Sequence, residues 1–186
     1  AELAEGNIDF RGDIVIHGNV ESGVNIRATG SITIDGVAEA CMLEAGKDII
    51  LRGGMLGGNK ASVKTKGAIT AKFFEFTNIL CEGDLQADVL MDCSVICHGQ
   101  IRLTGRKGSI IGGKVQAIRG LIATSLGNDA EKRTEIFGGA GIDVYSRLRV
   151  MEKKIEMTRE ELAKIEEGLE KFEILSKERG VSYTND

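Results

Sequence analysis

The chain has 186 residues and a net charge of −4; it holds 25 glycines, no proline and no tryptophan. Average usage at this length would give roughly thirteen glycines and nine prolines. With 42% hydrophobic but only 4% aromatic residues, the chain is neither a disordered tail nor a collagen. It carries no basic domain to grip nucleic acid and no apolar run long enough to span a membrane.

From the N-terminus onward, one short pattern recurs. Residues 12–18 read GDIVIHG, residues 30–36 GSITIDG, residues 46–54 GKDIILRGG and residues 99–105 GQIRLTG. Aligned on the apolar residue after the glycine, the units begin at Ile14, Ile32, Ile49, Ile69, Leu85, Ile101 and Ile122, in steps of 16 to 21 residues. That spacing belongs to a β-solenoid, and it is shorter than an ankyrin or tetratricopeptide unit. A second run accompanies each unit: VNIRATG at 24–30, SVKTKG at 62–67, NILCEG at 78–83 and SVICHG at 94–99.

Both runs alternate apolar with other residues, the signature of a strand with one buried face. Stacking like on like gives inward columns. One is Ile26, Leu43, Val63, Ile79 and Val95; the next is Ala28, Ala45, Thr65, Cys81, Cys97 and Ile118. The glycine-led run contributes Ile14, Ile32, Ile49, Ile69, Leu85 and Ile101. Glycines mark the corners, where positive φ or close backbone approach is needed. The missing proline fits, because each interior strand donates its N–H groups to the next turn. The spacing therefore predicts a parallel β-helix of about six to seven rungs over residues 1–144, roughly 30 Å long. With no clean six-residue register, the expected hand is right.

After the last rung the period changes. Leu148, Met151, Ile155, Thr158, Leu162, Ile165, Leu169 and Phe172 keep alternate spacings of three and four, the a/d seam of a coiled coil. The pattern predicts a long helix over 145–179, roughly 50 Å in length, and a polar tail over 180–186. Such a helix needs a partner, from this chain or from a second copy.

The residue types suited to chemistry have structural explanations. Alternation sends Cys93 and Cys97 inward and His98 outward, so the three do not converge on a metal. His17 and His98 precede corner glycines with no acid or nucleophile at a telling offset. Asp13, Asp48 and Asp84 read as turn formers in a row broken by Ser31, Ala68 and Gln100. GRKGSIIGGK at 105–114 lacks the G-K-[ST] ending of a phosphate-binding loop and reads as an enlarged corner. No catalytic, cofactor or metal residue is expected. Outward apolar residues say more: Val15, Thr33 and Ile50 in one row, Leu80 and Ile96 (followed by Ala117) in another, and Phe74 in the KFFEF corner at 72–76. Exposed apolar rows on a solenoid point to protein contacts. The expected partners are therefore proteins, including further copies of the chain, and neither nucleic acid nor a membrane span. Four cysteines without a secretory leader read as reduced thiols of a cytoplasmic protein. A first residue that is not Met, with the repeat already under way by Gly6, reads as a piece of something longer.

GDIVIHGNVESGVNIRATGSITIDGVAEACMLEAGKDIILRGGMLGG, then VKTKGAITAKFFEFTNI and GRKGSIIGGKVQA, resembles the C-terminal β-helix of the flagellar assembly protein A (FapA) family. The resemblance covers nearly the whole chain, including the coiled-coil segment. It implies a non-enzymatic bacterial scaffold linked to flagellar assembly or polar organisation, acting in the cytoplasm through protein contacts. Residues 6–43 alone also resemble the β-helix of the cell-division inhibitor MinC. The chain departs from that family by lacking its Arg-Ser-Gly-Gln-type turn and by adding several rungs and a coiled coil. Bactofilin-like self-assembling polymers share the stacked-rung logic but generally lack so long a helix.

Overall fold

The computed structural model describes residues 6–105, 108–128, 132–139, 151, 154–159, 161–166 and 168–169. The chain divides into two units, Ala1–Gly139 and Ala140–Asp186. The first is a parallel β-solenoid of about seven turns.

Its strands alternate between two sheets. One sheet contains β1 (Asn7–Phe10), β3 (Asn25–Ala28), β5 (Ala38–Glu39), β6 (Met42–Ala45), β8 (Met55–Thr65), β10 (Phe73–Cys81), β12 (Val89–Cys97), β14 (Ser109–Ala117), β16 (Ser125–Leu126) and β17 (Thr134–Gly138). The other contains β2 (Ile14–Ile16), β4 (Ile32–Ile34), β7 (Ile49–Leu51), β9 (Ile69–Ala71), β11 (Leu85–Ala87), β13 (Gln100–Leu103) and β15 (Gly120–Ile122). Register follows the expected columns: Ile14 faces Ile32 and then Ile49, and Cys81 faces Cys97.

The long strands β8, β10, β12 and β14 bend, and this gives each turn a third side absent from the two-run reading. At the bend the backbone enters the left-handed region in successive turns, at Ala40, Asn59, Phe76, Asp92 and Gly112. Four of these are not glycine, so no composition signal marks this corner. Before the bend, Ala38, Met55, Phe74, Leu90 and Ile110 form another wholly buried column. Phe74 is therefore core and not surface, which corrects its assignment to an exposed cluster. Strand alternation points Phe73 and Glu75 outward and Phe74 in.

The last turn holds a second correction. Cys97 pairs with Ala117, which is buried, and Ile101 pairs with Leu121. Ile118 and Ile122 do not belong to the inward columns, and Gln116 replaces Ala117 as the outward neighbour of Ile96. The cause is a displaced glycine. Gly120 aligns with Gln100, while Arg119 takes the corner place of Gly99, so alignment on glycine slips by one residue. A one-residue slip moves every side chain to the opposite face.

Corner glycines serve mainly close approach. At Gly83 a Cβ would sit 2.6 Å from the Gly67 carbonyl oxygen of the preceding turn. The corner aspartates reach forward instead. Asp13, Asp48 and Asp84 accept the backbone N–H groups of Ser31, Ala68 and Gln100 at 2.7, 2.8 and 2.9 Å. The residues that interrupt the aspartate row are thus the ones it caps, and the row is a set of turn caps.

In the second unit, backbone is helical at residues 151, 154–159, 161–166 and 168–169. This does not support a long coiled-coil helix over 145–179. Met151, Ile155, Leu162, Ile165 and Leu169 of the expected seam are exposed; Leu148 and Phe172 lie outside the described residues.

Candidate functional site

Among the described residues, the solenoid interior offers no reactive group to solvent. Cys41, Cys81, Cys93 and Cys97 are buried free thiols. Burial pushes Cys41 and Cys93 up to about 11. A hydrogen-bonded neighbour, Cys97, together with burial, raises Cys81. Thiolate is the reactive form; the hydrogen bond to Cys81 lowers Cys97, but that thiol is wholly buried, so the native chain is expected to resist an aromatic disulfide reagent at neutral pH and to release all four thiols once denatured. Rapid labelling of the native chain would contradict the packing.

His98 points outward, away from the Cys93 and Cys97 column, as alternation requires. Among the described residues, no three His, Cys, Asp or Glu side chains gather as metal ligands. His17 is exposed and its Nδ1 lies 2.8 Å from Asp35 Oδ2. Arg52 approaches the other Asp35 oxygen at 3.0 Å, so the three form a stack along one corner.

What remains is surface, arranged on three sides. The sheet of β2, β4 and β7 carries Val15, Thr33 and Ile50 as direct outward neighbours; Val15 is 57% exposed and the other two half-buried. On the side formed by β3, β6 and the C-terminal arms of β8, β10, β12 and β14, one outward column changes character along its length. It begins with Asp9, Arg27, Glu44 and Lys64, where Arg27 donates to Glu44 at 2.9 Å and its hydrogen bond holds the Glu44 carboxyl below its ordinary range. It continues with Leu80 and Ile96, cross-strand partners that are 36% and 44% exposed, then Gln116 and Phe137. Lys114 lies 5.0 Å from the Phe137 ring. The two expected apolar rows are therefore real rows, but they lie on different sides of the molecule and do not form one site.

The third side was not foreseen. Its outward residues include Phe73, Val89, Met91 and Ile111, around a groove of about 340 Å³ with Lys72, Glu75 and Asp88 at its margins. The available signal was the apolar content of FFEF, VLMDC and SIIGG. Only SIIGG has a glycine at the bend, so no shared residue in those words marks where the strand turns.

No helix among the described residues is long and apolar enough to cross a membrane. Compared with known families, the chain matches the Flagellar Assembly Protein A beta solenoid domain over residues 2–183. No curated protein and no solved structure matches it.

Proposed function

The chain belongs to the flagellar assembly protein A β-solenoid family, and from that premise we propose that it is a non-enzymatic scaffold serving flagellar assembly through protein contacts made in the cytoplasm. One observation carries this reading: Leu80 and Ile96, stacked across two strands, keep their apolar side chains outward on a rigid sheet. Paired exposed apolar groups of this kind are covered by another protein surface. Right-handed winding is part of the reading, since parallel crossovers within one sheet favour that hand.

Leu80→Asp with Ile96→Asp tests it. Both side chains point to solvent, so the solenoid should keep its circular dichroism. Self-association in sedimentation should weaken, and cells that make the variant at normal levels should assemble fewer flagella. A folded variant with unchanged sedimentation and normal flagellation would refute the assignment of this surface.

A further inference from the structure

Some carboxylates on the solenoid surface have cationic partners. Glu44 lies between Arg27 and Lys64, Asp35 between His17 and Arg52, and Asp84 and Asp92 meet Arg119 and Lys132. On the third side, carboxylates without such a partner fall in one row. Val20 bridges Ala38 in parallel register, so Glu21 and Glu39 follow on adjacent turns, like charge beside like charge. Glu75 stands further along the same side, after Leu56. None of these three glutamates forms an ion pair among the described residues.

Like charges directly opposite one another in a sheet cost stability. This unmatched acidic row runs into the apolar groove of Phe73, Val89, Met91 and Ile111, where Lys72 is the only described cation in the lining. We infer that the third side docks a segment of a partner protein bearing apolar side chains flanked by Lys or Arg. The apolar groups fill the groove and the cations answer the glutamates. A second copy is the poorer occupant, because two such sides laid together would double the unmatched negative charge. The inference rests on the reading of the chain as a protein-binding scaffold. Its test leaves Leu80 and Ile96 untouched, so the two readings fail separately.

The probe is a short amphipathic peptide of Leu and Lys, followed by fluorescence anisotropy with the full chain. Two comparison peptides share its length, one of Leu and Glu and one of Ser and Lys. Only the Leu–Lys peptide should bind, and salt should weaken it. Glu39→Lys and Glu75→Lys should each weaken binding by about fivefold to tenfold, while Glu82→Lys, the same charge change on another corner, should leave it within about twofold. Met91→Gln should also weaken it. Glu39→Lys should at the same time raise the melting temperature, because it removes repulsion with Glu21; a merely structural glutamate would lower it. Equal losses in Glu39→Lys and Glu82→Lys, or equal binding of the Ser–Lys peptide, would overturn the proposal as unspecific attraction. A wild-type dimer that Met91→Gln dissociates in sedimentation would overturn it in favour of a second copy.

Discussion

Ile32→Asp is expected to leave no folded solenoid. Ile32 is wholly buried and lies between Ile14 and Ile49 in one column, so the new carboxylate would have only aliphatic neighbours along it. An ionised group without a partner in such a place costs several kcal/mol, and protonation relieves only part of it. A domain's whole stability is about 5–15 kcal/mol. Each turn is also the template for the next, so losing one early rung removes pairing from its neighbours. Far-UV circular dichroism and thermal melting read the result directly. Wild-type curves would mean that Ile32 faces solvent and that the inward columns are inverted.

Phe74→Ala should cost about 3–5 kcal/mol, the range for emptying a large aromatic from a packed core. Phe74 is the largest fully buried side chain, and its neighbours in the column are Met55 and Leu90. With almost no other aromatics in the solenoid core, no nearby ring can swing in to fill the space. Chemical denaturation should show a lower midpoint with a nearly unchanged slope. A change within about 0.5 kcal/mol, typical of a surface site, would restore Phe74 to the exposed cluster. Phe73→Ala offers an internal comparison, since that ring is half-buried and should cost less.

Period-two alternation made most of two sides legible. Ile26, Leu43, Val63, Ile79 and Val95 form their column as expected, because parallel in-register pairing places like positions over one another. Cys81, Cys93 and Cys97 were equally readable: a residue facing inward from a strand between two others has nowhere else to go. The last turn misled because Gly120 is one residue out of place, and a strand has no tolerance for such a slip. The candidate surface was legible only in pieces. Alternation says that Val15 and Leu80 point outward, but it does not say that they point in different directions.

The sequence by itself determined the repeat, the inward columns of two sides and the corners marked by glycine. These follow from local alternation and from the close backbone approach that a corner imposes. Tertiary structure alone decided the third side, the burial of Phe74, the true register of Ala117 and Leu121, and the pairing of Glu21 with Glu39. Each of these depends on where a left-handed residue bends a strand and on which residue of the next turn lies above it. That is settled by pairing between turns, and Ala40, Asn59, Phe76 and Asp92 share no side-chain chemistry that would announce the bend.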